Sequence, residues 1–516
     1  MKKNNIIKGI FFAGTLFLGV SCTQLNEEIL DGVIVSEGGS GGTVNPVAFL
    51  TTAYEGLRNF QGQGTMFALD EMSTDALVGP TRGGDWDDNG VWRQIHVHTW
   101  GPDHNEVRGA WNQLLSQVNN CNKVINSGSG TPTQVAEARF LRAFYYYHVI
   151  DLFGQAPYRE VGTPETDNPK VWTRTEATNF VISELEAILA ALPSRTAGDP
   201  SIANKDAANF LLAKLYLNKG VFTAASPAGP YTFAAADMTK VVTYVNAISS
   251  SLAPDYWDNF KPTNNTSPEV LFASKNEPGA GGNIQCFWRF GMHYNMTPDG
   301  WNGFSTVAEY YNKFNPNDKR IKNADPAIIA NFGNPVGFIV GQVYKPGGVD
   351  IVRDRINIPG STTVPPTKQP LIFTPSVTLI TSGLSLESAG IRGQKYIPDA
   401  SNLGSPNNDF VLMRYSDALL MKAEAILRGG SGTAPDMTAY FARTGRPSVT
   451  LDLEGIYAER GRELWWEEYR RNDMIRFGKF LQARELKAYV SDNRYLLFPI
   501  PSAALFNPNL TQNPGY

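Results

Sequence analysis

The most chemistry-laden stretch of this sequence is Thr81-Arg82-Gly83-Gly84-Asp85-Trp86-Asp87-Asp88-Asn89-Gly90-Val91-Trp92. It has neither a helical nor a strand period, so Trp86 belongs to a loop. An indole among glycines and polar residues is costly to expose without a ligand to cover it. A ligand site needs a flat apolar face with a few placed polar groups around it. Trp86 offers the face; Arg82, Asp85, Asp87 and Asn89 offer the rim. The plain alternative is a Trp that packs its own loop. Trp92 and Trp100 flank a more regular stretch and read as core. A second aromatic run, Cys286-Phe287-Trp288-Arg289-Phe290-Gly291-Met292-His293-Tyr294, is followed by Trp301 after Pro298-Asp299-Gly300. Trp288, Tyr294 and Trp301 are further candidate platforms, although aromatics at this density also pack on one another.

Catalytic and metal readings are weaker. Asp85-Trp86-Asp87-Asp88-Asn89-Gly90 matches the first half of a calcium loop, but the twelfth position is His96 instead of a bidentate Glu. His96, His98 and His104 supply three imidazoles, for which hydrogen-bonded structural roles are expected before zinc. No metal or cofactor is expected, and neither HExxH nor a Walker loop occurs. Gly38-Gly39-Ser40-Gly41-Gly42 spells G-x-S-x-G inside a glycine tether, without the strand and helix a nucleophile elbow requires. Glu463 and Glu467, one helical turn apart, resemble a paired-carboxylate site. Their neighbours Arg460, Arg462, Arg470 and Arg471 favour an ion-pair network. Asp85 and Asp87 are the sharpest pair for a glycoside hydrolase, which needs two carboxyls about 5–10 Å apart.

The composition sets the frame for these residues. A chain of 516 residues with 42% hydrophobic content can bury a large core, and its charged fraction of 18% is low. Gly (48) and Pro (33) make up about one residue in six, which predicts long loops. A net charge of −4 gives no basic face for nucleic acid.

Lys2, Lys3 and Lys8 precede an apolar stretch, Ile10 to Val20, too short to span a bilayer. It reads as a signal peptide over residues 1–21. The stretch ends Leu18-Gly19-Val20-Ser21-Cys22, similar to a bacterial lipobox with Cys22 as the acylated residue, although Gly19 stands where an aliphatic residue is usual. Residues 22–45 are then a lipidated tether. Cys121 and Cys286 remain after processing, as structural thiols or one disulfide.

Helix signals fill the first half. Asn45-Pro46 opens a helix to about Phe60, and Asn105 caps another to about Asn126. Capping boxes at Thr131-Pro132-Thr133-Gln134 and Thr173-Arg174-Thr175-Glu176 open two more, stopping before Gly154 and Pro193. A short helix from Asn204 to Gly220 and one from Phe233 to about Leu252 follow. Near the C-terminus, Tyr415 to Arg428 and Asp452 to about Tyr469 are helical. Paired helices of this length suggest a stack related to tetratricopeptide repeats, without a clean 34-residue period. Residues 255–408 are loop-rich, with β-like runs such as Val336 to Tyr344. The expected organisation is a helical scaffold over 46–254 with a ligand loop near 79–101, a loop-rich binding region over 255–408, and C-terminal helices over 409–516 packed with the rest.

Four stretches in order resemble the SusD/RagB family of Bacteroidetes lipoproteins: EARFLRAFYYYHVIDLFGQAP from Glu137, MRYSDALLMKAEA from Met413, ERGRELWWEEYRRNDMIRFG from Glu459, and FPIPSAALFNPNLTQNPGY from Phe498. The resemblance implies an all-α fold of tetratricopeptide-type helix pairs, no enzymatic activity, and a place on the outer face of the outer membrane. It implies glycan capture as partner of a SusC-like TonB-dependent transporter. It also implies that the loop before His98-Thr99-Trp100 supplies a sugar-stacking aromatic, where Trp86 and Asn89 fall, and that Trp288, Tyr294 or Trp301 supplies a second. A surface glycoside hydrolase and a peptide-uptake lid of the same fold are the alternatives.

Overall fold

The side chain of Asn45 accepts from the amides of Val47 and Ala48, and Pro46 holds the first position of α1, Pro46–Glu55. The computed structural model describes residues 45–516 apart from 84, 161, 162, 165, 278–283, 354–368 and 383–385. The expected signal segment, Cys22 and the glycine tether lie outside the described residues. Residues 45–516 form one compact unit.

The capping chemistry places the next helices. α2, Asn105–Asn126, is capped by His104 and not by Asn105: the His104 ring nitrogen accepts from the Glu106 amide at 3.3 Å. The box of Thr131 and Gln134 opens α3, Pro132–Leu152, and that of Thr173 and Glu176 opens α4, Arg174–Ile188. Asn204 caps α5, Lys205–Phe222, which runs past the expected stop at Gly220. That glycine serves close approach: a Cβ there would lie 2.2 Å from the carbonyl oxygen of Thr232. α6 is Ala235–Asn246, shorter at both ends than expected. Consecutive helices pack on one another, α2 on α3, α3 on α4 and α5 on α6.

The described residues of 255–408 form loops and short helices pinned by short strands. β1, Val270–Ser274, is fully buried. β2, Val336–Ile339, lies between Lys322–Asn323 and β3, Arg392–Gln394, in a three-stranded antiparallel sheet. β4, Phe410–Arg414, pairs antiparallel with β1 and leads straight into α7, Tyr415–Leu427. The fold is thus mainly helical with small sheets. No helix among the described residues is long and apolar enough to cross a membrane.

The expected helix from Asp452 to Tyr469 is broken. α8 covers Leu453–Glu463 and α9 covers Arg470–Arg476. Between them Trp466 and Glu468 take left-handed φ values of 58° and 65°. The carbonyl of Glu463 is withdrawn from helix pairing by Arg414 at 2.6 Å and Tyr256 at 3.3 Å. Trp465 and Trp466 are both fully buried in this turn.

Buried arginines join the C-terminal helices to the rest. Arg414 reaches Glu269, Glu463 and Glu467; Arg320 reaches Asp318, Glu459 and Glu463. Arg460 bridges Asp417 and Asp473, Arg470 holds Asp75, and Arg471 holds Asp151. Glu463 and Glu467 therefore belong to a structural network. Cys121 and Cys286 are separate buried thiols, and burial pushes Cys286 up to about 11.

Candidate ligand platform

The Trp86 loop starts with a tight reciprocal turn in which the Arg82 amide donates to Asp85 at 2.8 Å and the Asp85 amide donates back at 3.3 Å. Trp86, Asp88 and Asn89 then take left-handed φ values of 60°, 42° and 55°. Asp and Asn tolerate that region; a Trp does so only where its surroundings compel it. The compulsion is visible. Its indole lies on Gly303, where a Cβ would come within 2.3 Å of the ring. It packs 4.8 Å from Phe304 and 6.0 Å from Trp92, and its Nε1–H donates to the carbonyl of Trp301 at 2.9 Å. Trp86 is half-buried, so it presents part of its ring.

Arg82 was expected at the rim, and the structure corrects this. It is buried, donating to the Gly303 carbonyl at 2.8 and 3.0 Å, to Ala389 at 2.7 Å and to Leu386. It is a post that ties three loops together and offers no donor to solvent. Asp87 accepts from Arg93 at 2.7 Å, so its charge is already matched. Asp88 accepts from Trp92 Nε1 at 2.6 Å. Asp85 and Asn89 are exposed beside the indole.

The second aromatic group divides. Trp288 is fully buried on a short helix, Cys286–Arg289, and has no face for a ligand; this corrects its expected role. Tyr294 and Trp301 are 43% and 39% exposed, which leaves faces for contact. Trp301 is fixed from below: its amide donates to the Arg289 carbonyl at 2.5 Å, and the Arg289 guanidinium stands 5.9 Å from its ring. Tyr294 donates its hydroxyl to Glu387 at 2.5 Å. His293 Nδ1 accepts from the Asn295 amide, so Nε2 carries the proton and donates to the same carboxylate at 2.8 Å. The structure thus brings Trp86 and Trp301 into contact. It sets Tyr294 on the same loop, with Arg82 and Glu387 anchoring that loop to residues 386–390. Gly303, Arg289, His293 and Glu387 were not foreseen. Gly303 meets the Trp86 loop across more than 200 residues, as in the Arg82–Gly303 bond, and no local pattern signals it.

The histidines serve structure. His96 bonds the carbonyls of Leu77 and Glu485, His98 that of Ser73, and His104 that of Val91. Burial, with Arg484 nearby, lowers His96 to about 4 and lowers His98 as well. Among the described residues no group of three or more His, Cys, Asp or Glu is arranged to hold a metal. Cavities of about 270 Å³ beside Asn119 and Tyr158, and about 290 Å³ beside Pro227 and Arg494, lie elsewhere.

The SusD family model matches residues 259–516. Among curated proteins, the starch-binding protein SusD of Bacteroides thetaiotaomicron is 27% identical over 498 residues, covering 88% of this chain and 85% of that protein. SusD-like protein P2 of Formosa agariphila is 23% identical, covering 98% of this chain and 99% of its own. Among solved structures, a laminarin binding SusD-like protein aligns with a TM-score of 0.68 at 20% identity, covering 91% of this chain and 99% of that one. Surface glycan-binding protein A from Bacteroides thetaiotaomicron in complex with laminarihexaose aligns at 0.62 and 20% identity, covering 90% and 98%.

Proposed function

The chain belongs to the SusD family, and from that membership we propose that it is a non-catalytic surface lipoprotein. In this reading it captures an oligo- or polysaccharide on Trp86, Trp301 and Tyr294 and delivers it to a SusC-like TonB-dependent transporter. Cys22 carries the lipid that holds it to the outer membrane, and the consecutive helix pairs act as a tetratricopeptide-like scaffold. The observation that carries the reading is the Trp86 indole bonded to the backbone beneath the exposed Trp301. Trp86 is strained into a left-handed conformation and bonded to the backbone of Trp301, whose ring faces outward. Two rings pre-set in this way lose little entropy on meeting a sugar, and apolar contact with the C–H face supplies the affinity. Asp85 and Asn89 stand at the edge for hydroxyls.

Hydrolysis is less well supported. Asp87 is matched by Arg93, which leaves Asp85 without a free carboxylate partner in its own loop other than Asp88, which holds Trp92. Incubation with a glycan panel should therefore give retention and no shortened products.

The test is calorimetry or affinity electrophoresis with laminarin and starch on the parent, Trp86→Ala and Trp301→Ala. Losing a central aromatic contact costs about 2 kcal/mol, near a 30-fold loss of affinity. Trp301→Ala is the cleaner variant. Trp86 is no free loop tip: its packing on Phe304 and Gly303 means that its removal also costs about 1–3 kcal/mol of stability. Both variants binding within threefold of a parent that does bind would remove the platform. A parent that ignores glycans and retains peptides would favour the peptide-lid alternative.

A further inference from the structure

The interior holds an unusual meeting of acids. Asp70 and Glu71 sit on the wide helical turn Ala68–Met72, and Glu468 on the strained turn between α8 and α9. All three are buried. The Glu468 amide donates to Glu71 Oε1 at 2.8 Å, which fixes the two turns together. Asp70 Oδ1, Glu71 Oε2 and Glu468 Oε1 are each sealed from solvent without a hydrogen-bond partner.

The surrounding charges do not balance them. From α9, Arg470 is spent on Asp75, and Arg471 on Asp151 and the Leu496 carbonyl. Lys395, just beyond β3, is spent on Glu467. From α3, Asp151 faces Asp70 and adds repulsion, and Tyr147 stands beside it. Tyr310 lies near Glu71, and Tyr396 and Tyr469 lie near Glu468. Two acids also feel others of the set: Glu71 feels Asp70, and Glu468 feels both. Three ionised carboxylates would leave buried, unmatched charge, which is far more costly than a neutral carboxyl. The described residues offer no metal-holding arrangement that would supply the missing positive charge.

We propose that Asp70, Glu71 and Glu468 form a proton-binding site that keeps at least one carboxyl neutral at physiological pH and thereby locks the turn after α8 onto the turn Ala68–Met72. Trp466, within the same turn, donates to the Ala76 carbonyl at 3.2 Å and packs 5.5 Å from Phe290, on the loop that carries Trp301. Burial, the largest influence on each of the three, raises their pKa values well above the ordinary carboxyl range.

The sign follows from linkage. Below the ordinary carboxyl range, folded and unfolded chains both carry the proton and the stability is fully present. As pH rises, the unfolded chain ionises first, and stability is lost until the folded site itself ionises. Each retained proton makes the unfolding equilibrium constant grow about tenfold per pH unit in that window.

The experiment is urea unfolding of the full chain at pH 5, 6, 7 and 8, for the parent, Glu468→Gln and Glu71→Gln. The ratio of the parent's unfolding constant to that of a Gln variant cancels the histidines and other groups common to both. It should climb about tenfold per pH unit above roughly pH 5. A protonated-carboxyl carbonyl stretch should appear in the parent's infrared spectrum at pH 8, where Asp409, raised by burial to about 7, is mostly ionised. Glu468→Gln or Glu71→Gln should weaken that band. Should one variant not fold, the other and the parent's spectrum still decide. Parallel pH profiles for parent and variants, or a parent without the band, would overturn the proposal. So would parent stability that shifts with added calcium or EDTA, because the neutralising species would then be a metal ion.

Discussion

Glu463→Gln isolates the charge at the centre of the C-terminal network. The carboxylate is fully buried and accepts from three guanidiniums: Arg320 at 2.8 Å, Arg414 at 2.5 Å and Arg443 at 2.5 Å. The amide keeps the size but removes the charge, and turns one acceptor into a donor facing arginine. Charge-assisted hydrogen bonds are worth about 1.5–3 kcal/mol each, so three losses set a ceiling near 9 kcal/mol. Glu269 still holds Arg414 and Arg443, and Glu459 still holds Arg320, which lowers the net cost to about 3–5 kcal/mol. Denaturant titration should show this as a lower midpoint with an unchanged slope. The acid limb adds a second readout. Burial alone would raise Glu463, but Arg443, Arg414 and Arg320 outweigh it and hold it well below the ordinary value. Glu269 and Glu459 are held the same way at about 2. Their folded-state pKa values are depressed, so their stability is present above the ordinary range near 4.5 and is lost as pH falls toward 2. Each of these two supplies about 3 kcal/mol by that shift. The variant should lose its own share, giving an acid limb shallower by about one proton. A cost under 1 kcal/mol with the parent's acid limb would refute the network. Native stability without ligand binding would turn Glu463 into a functional residue.

Two further outcomes test the platform and the anchor. Gly303→Ala places a Cβ about 2.3 Å from the Trp86 ring, so the indole must leave its seat. Laminarin or starch affinity should fall about as far as in Trp86→Ala, and an unchanged affinity would show that the seat does not matter. Cys22→Ala should be exported yet lost from the membrane fraction of cells lacking a transporter partner; full retention there would exclude lipid as the anchor.

What could be read from the sequence depended on how far apart partners lie. The capping boxes at Thr131 and Thr173 were legible because each closes within three residues. The break after Glu463 was not, because Arg414, 49 residues upstream, takes the carbonyl that would have continued the helix. The irregular run around Trp86 announced a loop, and the loop is there. Its neighbour Arg82 looked like a rim residue because nothing nearby reveals a bond to Gly303. Trp288 and Trp301 have similar aromatic surroundings in sequence. A short helix turns the first inward, while the Pro298-Asp299-Gly300 turn leaves the second outside. The resemblance to the family supplied a mainly helical fold. It left open which of the candidate aromatics face outward, and that depended on contacts between distant segments.

The long reach of the buried ion pairs bears on when this molecule can become itself. Asp75 awaits Arg470 across 395 residues, and Asp151 awaits Arg471 across 320. Trp100 completes its hydrogen bond only with the hydroxyl of Tyr516, 416 residues on. Those early acids stay without their counter-charges until the C-terminal arginines reach them. The first helices depend less on that arrival, because their caps are local. The charged interior closes only after the last hundred residues arrive, so synthesis and final packing are separate events in the life of the chain.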